Sequence, residues 1–309
     1  MWRKLVAFMW LMMPFLLVAC SMTMEATPEA ATAVPDRAIV FGDISDEPAE
    51  TIAGTQPIAD YVAAQLGEYG ITRGEVKIAP DLETMIQYMA DGEVDIYFDS
   101  PYPALVVSQQ TGAMPVLRRW KYGVSAYHSV FIARKDSGLS SLEDLRGKMV
   151  AFEESFSTSG YMLPLSFLME QGMNPVEKAN PETAVATDEV GYVFSTADNT
   201  TIQWVVSGKV PVGVIDNVTF DILLPEETRE GLIILAATED VPRQVMVLRE
   251  EIEPELAAAI QQILINIDEQ ADAQMALEEF LTTEFDEFPE GAEAALARMQ
   301  TLYELVQDN

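Results

Sequence analysis

Three hydroxyl side chains and a glycine follow one another where a strand-like segment of the chain gives way to a helix-like one. They are Ser157, Thr158, Ser159 and Gly160. Such a turn gathers hydroxyl groups and unpaired backbone N–H groups at the positive end of a helix dipole. That arrangement is typical of a neutral site for a phosphate-like oxyanion, which needs no lysine. The alternative is an ordinary N-cap serine followed by turn residues, and the residue types alone favour neither interpretation.

The chain carries few of the groups that enzymes use. Metal sites usually draw on several His or Cys side chains, whereas His128 is the sole histidine and Cys20 the sole cysteine. A serine nucleophile needs a base beside it, and the sequence holds no Gly-x-Ser-x-Gly motif. Glu153 and Glu154 adjoin the serines; loop carboxylates are more often solvated, so carboxylate-based hydrolysis is only an alternative. We predict a binding protein and not an enzyme, with no metal and no cofactor.

The charge balance excludes one class of ligand. The chain has 50 acidic and 18 basic residues, a net charge of −32. Nucleic-acid binding needs a concentrated basic surface, and none is visible in the sequence. A small anion is still compatible, because backbone N–H groups bind anions locally and salt screens distant surface charge.

Strand-like and helix-like segments alternate from about residue 38, which predicts an α/β fold. The first set has strands 39–42, 75–79 and 94–98 and helices 55–67 and 82–91. The second set has strands 129–134, 148–152 and 210–215 and helices 141–145, 161–171 and 201–207. From residue 251 the pattern is nearly all helical, with helices 254–268, 272–281 and 290–306. Two α/β sets predict two lobes with a ligand cleft at the carboxyl ends of the strands.

The first residues predict export. A short basic start precedes an apolar run over residues 5–18 that is too short to span a membrane, so residues 1–19 are predicted to be a cleaved signal peptide. Residues 17–20 resemble the bacterial lipobox, which implies lipid attachment at Cys20; an uncleaved membrane anchor is the alternative. Residues 20–36 are rich in Thr, Ala, Pro and Glu and predict a flexible tether.

Several short motifs fall in a characteristic order and spacing. They are residues 127–129, 134–138, 142–148, 157–161 and Pro164, with 94–95 and 98–102 upstream and 207–209 and 213–217 downstream. Together they resemble the phosphate/phosphite/phosphonate-binding lipoproteins of ABC transporters, and the resemblance covers roughly residues 39–248. It implies a type II periplasmic-binding-protein fold, in which two α/β lobes are joined by two crossings and close on a ligand. Its most specific part is the serine loop.

The resemblance also implies an arrangement of domains and a function. Lobe 1 is expected over residues 37–126 plus 243–309, with the helical C-terminal tail packed on it, and lobe 2 over residues 127–242. The function implied is that of an extracytoplasmic lipoprotein, monomeric and anchored at the cell membrane, that captures a phosphonate, phosphite or phosphate for an ABC permease. Two alternatives are a ligand-binding sensor subunit for a membrane receptor and a binding protein for another small organic anion.

Carried over to this sequence, the resemblance assigns the ligand contacts. The loop 157–160 would hold the phosphoryl oxygens and Tyr127 would add a hydroxyl from the hinge side. Ser100 and Tyr102 would contribute from lobe 1. Asp216, at the end of a predicted strand, would accept a protonated ligand oxygen or a ligand amine, or would instead cap the following turn.

This sequence departs from the family pattern at two places. Residues 197–198 are Ala-Asp where family members often have Ser-His, and Pro211 replaces an acidic residue. A carboxylate at Asp198 would repel an anion unless it binds a proton or a ligand amine. We expect Asp198 to point to solvent instead. His128 alternates with Tyr127 along a strand, which favours a packing or surface role over ligand contact.

Overall fold

The structure is a computed structural model that describes residues 37–308. The predicted signal peptide, Cys20 and the tether therefore lie outside the described residues. Within 37–308, no helix combines the length and the apolar character needed to cross a membrane.

The first part of the chain alternates strands and helices. Its elements are β1 (Arg37–Ile44), α1 (Pro48–Gln65), β2 (Ile71–Ala79), α2 (Leu82–Ala90), β3 (Ile96–Asp99), α3 (Pro101–Thr111) and β4 (Met114–Lys121). Helix α1 packs closely on β2, because Gly74 leaves no side chain between them; a Cβ at that position would lie 2.3 Å from the backbone of Ala59.

The middle of the chain builds a second α/β set. Its elements are β5 (Ala126–Tyr127), β6 (Ser129–Arg134), β7 (Met149–Phe152), α4 (Leu163–Glu170), β8 (Pro175–Glu177), β9 (Val190–Phe194), α5 (Asp198–Ser207), β10 (Val212–Asp216), α6 (Glu226–Glu230), β11 (Leu232–Ala237) and β12 (Val241–Pro242). A π-helical turn, Thr158–Met162, leads directly into α4, and a second one, Thr219–Leu223, follows β10.

The last part of the chain returns to the first set. Its elements are β13 (Gln244–Leu248), α7 (Pro254–Ile265), α8 (Gln274–Glu279), β14 (Thr282–Asp286) and α9 (Ala292–Gln307). Helices α7 and α8 contact α1, whereas α9 contacts α3 and β4 on one side and α4 on the other. The C-terminal tail thus packs on the first set as predicted, and its last helix also reaches the second.

Two six-stranded mixed sheets organise these elements. The first has the order β14-β4-β13-β3-β1-β2 and the second β11-β6-β10-β7-β9-β8. We call the first sheet with its helices the first lobe and the second sheet with its helices the second lobe. The chain crosses between them twice, and at the crossings β5 pairs antiparallel with β12, with Tyr127 opposite Val241.

Apolar side chains cover both faces of each sheet. Along β6, Val130 and Ile132 point into one buried cluster while Phe131 and Ala133 point into another. A strand buried on both faces loses the alternation of polar and apolar residues that half-buried strands show. Burial of each large apolar side chain contributes roughly 1.5 to 3 kcal/mol, so these four layers supply the stability that positions the strand ends.

Strand β14 was not predicted. The pattern after residue 251 is nearly all helical, but between α8 and α9 the chain forms β14, which runs antiparallel to β4 and adds an edge strand to the first sheet. Only Thr282 and Phe285 of this strand are buried, which leaves a weak pattern in a short polar segment.

Candidate binding site

A cavity of about 380 Å³ lies where strand ends of the two sheets face each other. Its walls come from residues at or just after the carboxyl ends of five strands, where α/β sheets usually bind ligands. Those strands are β1, β3, β7, β9 and β10. The last residue of β4 and the segment that enters β13 complete the walls.

The serine loop lies on the second-lobe wall of this cavity. Ser157 and Ser159 line it, and Ser157 Oγ also accepts the N–H of Gly160 at 2.9 Å, which makes Ser157 the N-cap of the π-helical turn. The main-chain oxygen of Ser159 accepts the hydroxyl of Ser129 at 2.7 Å. The N-cap and the oxyanion interpretations of the loop are therefore compatible, because the capping serine still faces the cavity.

Gly160 allows a carboxylate to approach this loop. A Cβ at Gly160 would lie 2.3 Å from Cβ and 2.7 Å from Oε2 of Glu153. Glu153 lines the cavity and is not a solvated loop charge. Burial raises the pKa of Glu153, partly offset by a hydrogen bond from the Ser157 hydroxyl.

Two further carboxylates stand beside Glu153. Asp216 Oδ1 accepts the N–H groups of Val218 at 2.9 Å and of Thr219 at 3.1 Å, and its Oδ2 accepts the Thr219 hydroxyl at 2.7 Å. Asp198 Oδ2 lies 3.2 Å from the same hydroxyl, which has a single proton to give. Burial, then the charges of Glu153 and Asp216, raise the pKa of Asp198 well above its usual value. This group of acids therefore retains a proton at a pH where isolated carboxyls are ionised.

Tyr127 and Arg243 form the hinge side of the cavity. Tyr127 is 1% exposed, and the guanidinium carbon of Arg243 lies 4.4 Å from the centre of its ring. Burial raises the pKa of Tyr127 to about 12, so its hydroxyl is neutral and able to donate. The Nε of Arg243 is buried and has no hydrogen-bond partner among the described residues.

The first-lobe wall carries both acids and bases. Asp99 accepts the N–H of Ser100 at 2.6 Å, its hydroxyl at 3.1 Å and the Tyr97 hydroxyl. Burial and the charge of Asp99 raise the pKa of Asp43 to about 6. Burial, then Arg119 and Arg243, lower the pKa of Lys121 to about 8.

Arg119 also lines the cavity, and its guanidinium donates hydrogen bonds within the first lobe. It is 4% exposed and donates to Thr282 Oγ1 and Gln244 Oε1, both at 2.7 Å, and to the main-chain oxygen of Phe280. Its guanidinium carbon lies 3.4 Å from the centre of the Phe280 ring. Arg119 therefore holds the first sheet together at the base of the cavity.

No group of three or more His, Cys, Asp or Glu side chains within residues 37–308 is arranged to hold a metal ion. The cavity is instead built from hydroxyls, carboxyls and cations, which suit a polar organic or inorganic ion.

A sequence profile described as ABC transporter, phosphonate, periplasmic substrate-binding protein matches residues 41–291. The chain belongs to this family. Both the predicted family and the prediction of a binding protein rather than an enzyme are confirmed.

Individual relatives agree with this family assignment. The phosphate-import protein PhnD of Mycolicibacterium smegmatis is 27% identical over 160 residues, which are 50% of this chain and 48% of that protein, so the match spans about half its length. A Xanthomonas citri protein bound to a chloride ion is 29% identical with a TM-score of 0.83, over 88% of this chain and 99% of its own. PhnD1 from Prochlorococcus marinus, in complex with methylphosphonate, has a TM-score of 0.67 at 17% identity, over 88% of this chain and 99% of its own. The predicted two-lobed fold of type II periplasmic binding proteins is confirmed.

Five of the eight predicted contact residues line the cavity. They are Ser100, Tyr127, Ser157, Ser159 and Asp216. The other three, Tyr102, Thr158 and Gly160, do not line it. Thr158 is 1% exposed and its Oγ1 accepts the N–H of Tyr102 at 2.9 Å, while the ring of Tyr102 packs 5.8 Å from that of Tyr303. Direct ligand contact remains a prediction for all eight residues.

The remaining sequence predictions had mixed outcomes. Asp198 lines the cavity and does not point away into solvent. His128 stands outside the cavity and Nδ1 pairs with Asp240 Oδ1 at 2.7 Å, in the surface role that the strand alternation favours. The cations Lys121 and Arg243 were missed, since neither the end of β4 nor the pairing at the crossings was visible in the sequence.

Proposed function

We propose that the cavity captures a small phosphorus oxyanion, a phosphonate, phosphite or phosphate, for an ABC importer. The observation that carries this proposal is the convergence of neutral hydroxyl groups from both lobes and the hinge on one cavity: Ser157, Ser159, Tyr127 and Ser100. Neutral donors fixed by the fold bind a phosphoryl group by hydrogen bonds and leave its charge to be balanced by nearby cations.

The acids around the serine loop do not oppose this function. Glu153 and Asp198 have raised pKa values because burial and mutual repulsion favour their protonated forms. A protonated carboxyl donates a hydrogen bond where an ionised one would repel. An anion can therefore be accommodated as long as this group keeps its proton.

Closure of the two lobes would complete the site. We propose lobe 1 over residues 37–126 plus 243–309 and lobe 2 over 127–242, with the paired strands β5 and β12 as the hinge. Tyr127 and Arg243 belong to this hinge and to the cavity wall at once. Hinge bending would therefore change the contacts that both side chains make with a ligand.

Delivery to a permease follows from the family and from the sequence of the first residues. We propose that Cys20 carries a lipid, that the segment up to residue 36 is a tether, and that the monomeric body works outside the cytoplasm beside an ABC permease. Mass spectrometry of the protein from a bacterial membrane fraction tests the anchor. A diacylglyceryl mass on Cys20 is expected, and an unmodified or uncleaved N-terminus would contradict it.

Calorimetry tests the ligand class. The chain from residue 37 onward is titrated with phosphate, phosphite, methylphosphonate and 2-aminoethylphosphonate. We expect heat with at least one of them, and at least a tenfold loss of affinity for it in Ser159→Ala. Ser155→Ala is the matched control, because Ser155 is exposed in the same loop and does not line the cavity. Absence of heat with all four, or equal affinities in both variants, would rule the proposal out.

A further inference from the structure

Two cations face the cavity without a partner. The side chains of Lys121 and Arg243 form no hydrogen bond and no ion pair with any residue from 37 to 308, and the Nε of Arg243 is buried. The other charged groups facing Lys121 are Asp43, Asp99 and Arg119, and none of them pairs with it. Both residues are partly buried. Positive charges withdrawn from water are normally paired, so unpaired ones in a binding cavity indicate that a ligand supplies the missing anion.

The two carboxylates whose charges act on Lys121 are already engaged, and the pKa values of Glu153 and Asp198, which face Arg243, are raised. Asp99 receives hydrogen bonds from Tyr97 and from both donors of Ser100, and Asp43 accepts the N–H of Ile44 at 2.8 Å. Burial raises the pKa of both carboxyls, which weakens them as counter-ions.

The guanidinium of Arg243 lies over the ring of Tyr127, with its carbon 4.4 Å from the ring centre. A planar guanidinium held in one orientation presents parallel N–H groups, which match the two oxygens of a carboxylate. Stacking on an aromatic ring leaves those N–H edges free to bind a ligand.

Lys121 extends the site away from the serine loop. It lies at the end of β4 in the first lobe, and it also lines a second cavity of about 500 Å³. The two cavities share Asp43, Ile44, Arg119 and Lys121. A ligand whose phosphoryl group lies at the serine loop on the second lobe would thus direct its substituent toward Lys121.

We propose that Arg243 and Lys121 form a second anion subsite, and that the ligand is a phosphonate whose organic substituent ends in a carboxylate. This inference rests on the proposed function, since it takes the serine loop as the phosphoryl subsite. It adds a substrate class, because phosphate, phosphite and methylphosphonate have no second anionic group to fill the subsite.

A comparison of the affinities of different phosphonates tests the subsite. The probes are phosphonoacetate and 3-phosphonopropionate, compared by calorimetry with methylphosphonate and 2-aminoethylphosphonate. We expect at least one phosphonocarboxylate to bind ten times more tightly than methylphosphonate. Tighter binding of 2-aminoethylphosphonate than of both phosphonocarboxylates would overturn the proposal, since an ammonium group should be repelled by two cations.

Variants separate the subsite from the phosphoryl site. Lys121→Gln and Arg243→Gln should each weaken phosphonocarboxylate binding at least tenfold more than they weaken methylphosphonate binding, which removes most of the advantage of the phosphonocarboxylate. Lys135→Gln, an exposed lysine that does not line the cavity, is the charge-matched control. If both variants weakened methylphosphonate and phosphonocarboxylate equally, the cations would belong to the phosphoryl site and the proposal would fail.

Proton uptake gives an independent measurement. A carboxylate beside Lys121 would raise its lowered pKa, so phosphonocarboxylate binding at pH 8.5 should take up more protons in the wild type than in Lys121→Gln. Calorimetry in two buffers of different ionisation enthalpy measures this difference, and its absence would contradict the role of Lys121. Failure of every probe, methylphosphonate included, would instead reject the proposed function and this inference with it.

Discussion

The backbone N–H of Tyr102, in the first turn of α3, donates a hydrogen bond to Thr158 Oγ1 over 2.9 Å. The bond joins the first lobe to the second at the residue where the serine loop enters its π-helical turn. The N–H groups of the first turn of a helix have no partner within the helix, so Thr158 supplies one from the other lobe. The predicted ligand residue Thr158 is therefore engaged in linking the lobes in this structure.

Removal of the Thr158 hydroxyl should open this link. Thr158→Val keeps the shape of the side chain but loses the acceptor. We expect amide hydrogen exchange at Tyr102 to become at least tenfold faster, while amides in the middle of α3 keep their protection. Thr158→Ser keeps the acceptor and should keep the Tyr102 amide protected. Equal exchange in the two variants would show that the bond contributes nothing to holding the lobes together.

Asp43 should make the stability of the protein depend on pH. Its folded-state pKa is raised from 3.8 to about 6, so the folded protein holds this proton more tightly than the unfolded chain does. The stabilisation that the Asp43 proton gives to the folded state is complete below about pH 4 and is lost as the pH rises through 6. Asp43→Asn removes this dependence, and we expect the variant to gain about 2 kcal/mol relative to wild type between pH 4 and pH 7.5. Urea denaturation across that range measures the difference, and parallel curves for the two proteins would contradict it.

Asp198 should control how ligand binding depends on pH. Its raised pKa means that the carboxyl is neutral at low pH and becomes a negative charge in the cavity as the pH rises. Asp198→Asn is neutral throughout, so its affinity for methylphosphonate relative to wild type should increase by about tenfold as rising pH ionises the wild-type carboxyl. The ratio of the two affinities cancels the titration of the ligand itself. A ratio that stays constant with pH would mean that Asp198 does not sense the bound anion.

The sequence predicted those parts of the site that depend on local chemistry. Asp216 was expected at a strand end, where it would either face the ligand or cap the next turn, and it lines the cavity while accepting two N–H groups of that turn. The serine loop was likewise expected between a strand and a helix. Both depend on a few consecutive residues, whose turn and capping preferences are strong.

The parts that were missed depend on contacts between distant segments. Strand β4 contains Pro115 and ends in charged residues, so no alternation showed where Lys121 would point. The position of Arg243 depends on the pairing of β5 with β12. The paired residues Tyr127 and Val241 are 114 positions apart in the sequence. Asp198 was expected to point to solvent, and α5 was predicted to begin at residue 201. The actual start of α5 at Asp198 puts that side chain in the first helical turn, against Thr219.

A buried ion pair holds the first sheet together beneath the site. Asp95 is 5% exposed; its Oδ2 accepts the N–H of Val40 at 2.9 Å and its Oδ1 accepts Nε of Arg249 at 2.6 Å. These bonds connect β1 and the residue before β3 to Arg249, the residue that follows β13. The pair thus fixes the end of β13 to β1 and to the start of β3.

Loss of this carboxylate should destabilise the protein strongly. Asp95→Ala leaves the Arg249 charge and the Val40 N–H without a partner, and we expect a loss of about 3 to 5 kcal/mol in the free energy of unfolding. The matched control is Asp136→Ala, which breaks the exposed pair of Arg134 and Asp136 at 2.9 Å and should cost less than about 1 kcal/mol. Urea denaturation of the two variants measures the difference. Similar losses in both would show that burial does not set the strength of the Asp95 pair.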